Sequence, residues 1–200
     1  MRMITEVKVL QKDKNRVSLS LDGQYFCTLS LETAIKNNLK PNLFIDEANL
    51  QDMIQESEIK IAWEKALKLV STRYKTQKEV YVYLQEKGFL PAVIFSVIEK
   101  LNEYHFIDDK RYAESYVSHK IKKDGPKKIK QQLLLKGVSE DIIDEVLLNC
   151  DNQDDVILTL VEKYMKNKEK TKENYIKMFR YMQSKGFDYE QVKNVIKDLD

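Results

Sequence analysis

The stretch TQKEVYVYLQEKGFLPAVIFSVIEKL, residues 76–101, reads as a helix, a Lys-Gly stop and a second helix. Thr76 with Glu79 three residues on forms a capping box, and Val80 and Leu84 then share one face. Gly88 suits the stop because a helix often ends on a residue with positive φ, which costs least without a Cβ. Pro91 fits the first position of the helix that follows. The stretch is therefore two short helices across a tight turn.

The pattern recurs twice more. Lys87-Gly88, Lys136-Gly137 and Lys185-Gly186 fall at an even spacing of 49 residues. Four residues before each glycine stand Leu84, Leu133 and Met182; eight before stand Val80, Ile129 and Met178. After the glycines come Phe89, Val138 and Phe187, then Ile94, Ile143 and Val192, then Ile98, Leu147 and Ile196. Matching apolar positions at one period mark an internal repeat. Twelve residues before the glycines, Thr76, Gly125 and Asn174 are all residue types that cap a helix start, and Pro126 fits a first helical position. Ser139 and Asp188 are the expected caps of the second helix in their repeats.

A leading helix precedes each pair. From Ile59 to Val70, residues Ile59, Ala62, Trp63, Ala66, Leu67, Leu69 and Val70 form one wide apolar stripe. The second leading helix starts with Asp108 as cap and shows Tyr112, Ala113, Tyr116, Val117, Lys120 and Ile121 on one face. The third starts near Asp154 and carries Ile157, Leu160, Val161, Tyr164 and Met165. Upstream, Val7 and Val9, then Val17, Leu19 and Leu21, then Tyr25, Cys27 and Leu29 alternate with mostly polar neighbours, with Asp22-Gly23 as a hairpin signal. This reads as a three-stranded antiparallel meander, too small to be stable unless it packs on something else. A short helix from about Leu31 to Asn38 follows, and Asp46 caps another carrying Leu50, Met53 and Ile54 on one face. The predicted fold is mainly α, α+β overall: three tandem three-helix repeats in an elongated curved array after a small β meander. The expected divisions are 1–57, 58–107, 108–153 and 154–200.

The chain has 200 residues, 42% hydrophobic and 33% charged, with a net charge of +2, so its overall field is too weak to draw it onto nucleic acid. The distribution is uneven. Lys110 to Lys136 holds nine basic residues against Glu114 and Asp124, whereas Ser139 to Asp155 holds seven acids, Asp151 among them, and no base. Cys27 and Cys150 are too far apart in sequence to form a framework or a metal spacing, and are expected to be reduced thiols of a cytoplasmic protein. No apolar run is long enough to span a bilayer, and no signal-peptide pattern follows Met1.

Ala66-Leu67-Lys68-Leu69-Val70-Ser71-Thr72-Arg73, Lys78-Glu79-Val80 to Leu84, Lys87-Gly88-Phe89, Leu101 and Ile107-Asp108-Asp109-Lys110-Arg111-Tyr112-Ala113 resemble the RecX family. Gly125-Pro126-Lys127-Lys128-Ile129, Leu133 and Lys136-Gly137-Val138 continue the likeness. The family comprises bacterial regulators of the recombinase RecA. The resemblance is strongest over residues 60–150 and weaker in the third repeat. It implies a curved rod that lies along the groove of the RecA–DNA filament and bridges protomers. Such a rod alters, and on this reading inhibits, strand exchange, ATP hydrolysis and LexA cleavage, and so recombinational DNA repair and the SOS response. The sequence departs from its own pattern at Leu90, where the other repeats carry a capping residue, and in its third repeat, rich in tyrosine (Tyr164, Tyr175, Tyr181, Tyr189).

Arg73, Lys75, Lys110, Arg111, Lys122, Lys123, Lys127, Lys128 and Lys130 are the candidates for contact with the RecA–DNA filament. Lys127, Lys128 and Lys130 stand in a helix's first turn, where cations oppose the macrodipole by roughly a few tenths of a kcal/mol each. An unfavourable placement points to another use, though a solvated helix face accounts for it equally. The planar fork of Arg111 can take a carboxylate or phosphate bidentately. Arg73, beside Tyr74 and Lys75, can reach a partner or bond the last carbonyls of its own helix. Lys87, Lys136 and Lys185 suit a helix C-terminus and need no further role.

Asp108 and Asp109 are read as cap and first-turn acid rather than a catalytic pair. His105 and His119 lack partners at metal spacing. Trp63 and the tyrosines at helical spacing are read as packing rather than base-stacking platforms. No Gly-rich phosphate loop is present. The expectation is a non-enzyme without cofactor or metal, monomeric, with the RecA recombinase filament as partner, direct contact with single- or double-stranded DNA left open, and no membrane. Two alternatives remain: a helical protein that binds DNA directly and competes for the strand, and a helical-repeat scaffold for another protein.

Overall fold

The alternation of Val17, Leu19 and Leu21 with serines puts three buried apolar side chains on one face of a strand, and that face organises the N-terminal sheet. The computed structural model describes residues 1–150 and 153–197; Asp151 of the acidic run lies outside them. Strands β1 (Arg2–Val9), β2 (Arg16–Leu21) and β3 (Gln24–Ser30) form the expected antiparallel meander. Asp22 and Gly23 both take positive φ, 52° and 82°, as the tight hairpin between β2 and β3 requires. After α1 (Leu31–Lys36) the chain returns to add a further strand, β4 (Phe44–Ile45), in the order β3-β2-β1-β4. Two residues give no alternation to read, so β4 arises from backbone pairing with Arg2 and Met3 rather than from pattern.

The apolar face of the sheet is covered by α1 and by the N-terminal half of α2 (Glu47–Val70), which contributes Leu50, Met53 and Ile54 to a core of Ile4, Val17, Leu19, Leu21, Leu29, Ala34 and Ile45. Asp46 caps α2 as expected, accepting from the Asn49 N–H at 2.8 Å. The two helices expected on either side of residues 55–58 are one helix of 24 residues, about 36 Å long. Gln55-Glu56-Ser57-Glu58 holds no breaker, and the stripe of Leu50, Met53 and Ile54 passes through Ser57 to Ile61 and Ala62. Ser57 is 1% exposed, and its hydroxyl accepts the Ser30 N–H at 2.6 Å, so a polar residue holds an apolar position of the stripe.

The C-terminal half of α2 joins α3 (Gln77–Glu86) and α4 (Pro91–Glu103) around Ala62, Ala66, Val80, Leu84, Val93, Ile94, Val97, Ile98, Leu101 and Ile107. The second repeat is α5 (Asp109–Lys120), α6 (Pro126–Leu135) and α7 (Glu140–Leu148), around Ala113, Val117, Ile129, Leu133, Val138, Ile143 and Val146. The third is α8 (Asp154–Met165), α9 (Lys172–Ser184) and α10 (Tyr189–Lys197), around Ile157, Val161, Met178, Met182, Phe187, Val192, Val195 and Ile196.

All three Lys-Gly stops end in the same way. Phe89, Val138 and Phe187 each donate their N–H to the carbonyl of Leu84, Leu133 or Met182 at 3.2 Å, and Gly88, Gly137 and Gly186 donate to the carbonyl three residues back at 2.9 Å. These are Schellman turns, with the apolar residue after the glycine closing over the helix end. Starts are less uniform. Thr76 and Glu79 form their capping box, and Pro126 opens α6. Asn174 is not a cap: α9 begins one turn earlier, with the Thr171 hydroxyl accepting from the Asn174 N–H. Thr171 outcompetes it because Lys172 and Glu173 form helix readily and leave nothing to stop the extension.

The described residues fall into two compact units, Met1–Tyr74 with Val80–Ile107 and Lys75–Glu79 with those from Asp108 onward, so the first turn of α3 belongs with the second.

Candidate functional site

The basic run from Lys110 to Lys136 spans α5, α6 and the turn between them, and in the second compact unit it lies against acids rather than apart from them. Lys130 and Asp144 stand equally far from Gly137 on the two arms of a helical hairpin, so closing the turn brings them together. The Lys130 ammonium donates to Asp144 at 2.6 Å and pairs with Glu140 at 2.7 Å. Its hydrogen bonds to Asp144 and then Glu140 hold its pKa above the ordinary lysine value. Lys110 pairs with Glu145 on α7 at 2.6 Å, and that bond raises its pKa likewise. Lys128 meets the nearly buried Asp124 at 2.7 Å, and Lys127 meets Asp188 at 2.5 Å.

Among the described residues, the candidates Lys75, Lys110, Lys127, Lys128 and Lys130 each pair with an acid, Lys75 lying 3.9 Å from Glu79. Exposed pairs of this kind contribute little stability individually, but they cancel the local field. Lys122 and Lys123, in the turn between α5 and α6, are exposed, and among the described residues no acid pairs with either. Arg73 is exposed in the link between α2 and α3, in the first compact unit. Arg111 is exposed on the first turn of α5, its N–H donated to the Asp108 cap at 3.0 Å. The structure thus gathers Lys110, Arg111, Lys122, Lys123, Lys127, Lys128 and Lys130 on α5, α6 and their connection, leaving Lys122 and Lys123 as the open cations of the turn.

Two junctions inside the second unit were not foreseen. The Thr76 hydroxyl donates to the Lys136 carbonyl at 2.7 Å, and the Lys136 ammonium donates to Glu79 at 3.0 Å. Burial opposes the charge on Glu79, yet its bonds to Lys136 and the Thr76 N–H outweigh that and hold its pKa below 4.5. Burial likewise pulls Lys136 down, and the Tyr112 and Glu79 side chains more than restore it. In the second junction the Gly125 N–H donates to the Lys185 carbonyl at 2.7 Å, and the Lys185 ammonium lies 3.7 Å from Asp124. The signal was available in the 49-residue period: Thr76 precedes Gly88 by the interval at which Gly125 precedes Gly137. Lys136 and Lys185 are thus more than helix-end cations.

Asp108 is the cap of α5, and Asp109 accepts the Gln77 N–H at 3.0 Å, its pKa raised by burial. His119 Nδ1 lies 2.7 Å from the Ser115 carbonyl. Among the described residues no group of three His, Cys, Asp or Glu side chains could hold a metal ion. No described helix is long and apolar enough to cross a membrane. Trp63 packs partly on the first helical core, but it also forms an exposed three-ring cluster with Tyr104 and Phe106, centroids 6.0 and 6.1 Å away. Tyr104 is 61% and Phe106 49% exposed. That cluster borders an open groove of about 600 Å³ between α2 and α4.

A small β-sheet followed in sequence by three three-helix repeats, each with the same Lys-Gly stop, defines a tandem helical-repeat protein. Comparison with known proteins makes the assignment specific. Residues 62–101, 108–147 and 151–196 match the first, second and third three-helix domains of RecX, and residues 2–47 match the N-terminal domain of the regulatory protein RecX. The regulatory protein RecX of Clostridium tetani is 38% identical over 98% of this chain and 94% of that protein, and its Clostridium beijerinckii counterpart is 36% identical over 100% and 96%. A crystal structure of regulatory protein RecX superposes with a TM-score of 0.75 at 25% identity, covering 99% of this chain and all of that one. RecX from Lactobacillus salivarius gives 0.67 at 30% identity, over 72% of this chain and 97% of that one. The chain belongs to the RecX family of regulatory proteins.

Proposed function

We propose that this chain regulates, by inhibition, a RecA recombinase, binding in the groove of the RecA–DNA filament and changing strand exchange, ATP hydrolysis and the signalling of DNA damage. Family membership supports the partner. The observation that carries the mode of action is the internal pairing of the basic run. A protein that competed for bare DNA would present its lysines to phosphates, each contact steepening the salt dependence. Here Lys110, Lys127, Lys128 and Lys130 are engaged by Glu145, Asp188, Asp124, Glu140 and Asp144. A surface of alternating charge with a few open cations suits a protein–DNA filament, which offers both acidic side chains and phosphates, better than a naked strand. Lys122 and Lys123 are the primary contacts in this reading, with Arg73 and Arg111 as further ones.

The test titrates the chain into RecA on single-stranded DNA while following ATP hydrolysis, with binding to the same DNA measured without RecA. Hydrolysis is expected to fall at concentrations where bare DNA stays unbound, and the double substitution Lys122→Glu/Lys123→Glu is expected to shift that fall to higher concentration with helical content unchanged. Coincident curves would make the protein a competitor for DNA, and unresponsive hydrolysis would remove RecA as the target.

A further inference from the structure

The chain contains three Lys-Gly turns and uses two of them. At Lys136-Gly137 and Lys185-Gly186 the first turn of another helix sits on the stop, and the two arrangements share three elements. A group at the helix cap donates to the lysine carbonyl, Thr76 Oγ1 in one and the Gly125 N–H in the other, both at 2.7 Å. The glycine lies so close to the incoming turn that a Cβ on Gly137 would stand 2.4 Å from Lys78 Cβ, and one on Gly186 would stand 2.5 Å from the Lys128 nitrogen. An acid beside the cap, Glu79 or Asp124, meets the lysine ammonium.

Lys87-Gly88 is built identically and stands open. Its φ of 85° matches 86° and 90° at the other two, yet a Cβ on Gly88 would meet nothing within 4 Å. Among the described residues nothing donates to the Lys87 carbonyl, and the Lys87 ammonium lies only over the Tyr83 ring, at 5.4 Å. The complementary half is also present once without a turn to sit on. Helix α9 is capped by Thr171 and carries Glu173 in its first turn, and both residues are exposed, Glu173 pairing with its own Lys177. The extra turn that displaces Asn174 from the cap lengthens this helix at the end that would enter a junction.

We propose that the Lys87-Gly88 turn of one copy receives the first turn of α9 from a second copy, repeating between molecules the junction made twice within the chain. The Thr171 hydroxyl would donate to the Lys87 carbonyl, and Glu173 would meet the Lys87 ammonium. Such contact is heterologous, so it leaves one open half at each end and grows head to tail rather than closing as a two-fold dimer. The sequence-based expectation of a monomer takes no account of these two unfilled junction halves.

Sedimentation velocity on the full chain at rising concentration, to about 1 mM, the weak end of specific association, tests this. The weight-average mass is expected to climb above that of the monomer. Lys87→Glu and Glu173→Lys, both at exposed side chains, should each hold the mass at monomer with circular dichroism unchanged. Mixing the two variants should restore growth, because each altered half then meets the other's. Wild-type protein at monomer mass throughout, association that survives either charge reversal, or a loss that mixing does not restore would overturn the proposal.

Discussion

Gly137→Ala should cost more stability than Gly88→Ala, and the difference measures how firmly α3's first turn is seated. Both glycines sit at nearly the same positive φ, 86° and 85°. Each substitution therefore carries the same conformational penalty, about 1–2 kcal/mol for an L residue in the left-handed region. At Gly88 the added methyl enters open space. At Gly137 it would stand 2.4 Å from Lys78 Cβ, an atom next to the backbone that cannot swing aside as the tip of a lysine can. Overpacking of this kind adds about 1–3 kcal/mol. Urea denaturation followed by far-ultraviolet circular dichroism gives the two losses, and amide exchange at Val138 and Glu79 localises them. Equal losses, within the roughly 0.5 kcal/mol by which independent sites depart from additivity, would mean the junction yields freely and the reasoning from close approach is wrong.

Thr76→Ala removes a cap and a bond to the Lys136 carbonyl together, and should lower stability by about 1–2 kcal/mol, read as a reduced denaturation midpoint. The same junction sets a pH dependence. Glu79 is held below 4.5, so its contribution is complete above that value and disappears as pH falls through its lowered pKa. The difference in melting temperature between wild type and Glu79→Gln, present at neutral pH, should shrink in acid; Asp109, raised by burial, gains favour on protonation and flattens the wild-type curve. Ser57→Ala leaves the buried Ser30 N–H without its acceptor and should cost about 1–3 kcal/mol, measured by urea denaturation, with both the β-sheet and Trp63 fluorescence affected. Lys130→Glu sets a third acid beside Glu140 and Asp144 and should lower the melting temperature, whereas Lys122→Glu should not.

The repeats were legible because each stop needs a glycine, an apolar residue after it and two before it, and those demands survive when nothing else is shared. Asp22-Gly23 was legible for the same reason, a backbone conformation that few residues adopt. Other features have no such mark. Ser57 broke the apolar stripe of α2 on paper, although in three dimensions its hydroxyl completes a backbone bond and its small volume keeps the packing. Strand β4 is too short to alternate. The start of α9 lies one turn before Asn174 because Thr171 is also a cap residue and the helix-forming Lys172 and Glu173 between the two let the helix extend to it. Basic and acidic runs read as two opposed patches because sequence order separates them, while the hairpin at Gly137 lays Lys130 beside Asp144. The exposed rings of Tyr104 and Phe106 were hidden by the spacing of Trp63, which reads as core and is only partly so.

Helix α2 has one end in the sheet's core and the other in the first helical core, with the Ser30–Ser57 bond between them. Neither core can be dissolved while α2 remains intact, and α2 cannot fray through its middle without abandoning both. The first compact unit should therefore open as a single foldon, its slowest-exchanging amides shared between β2 and α4 although the two lie some seventy residues apart in sequence.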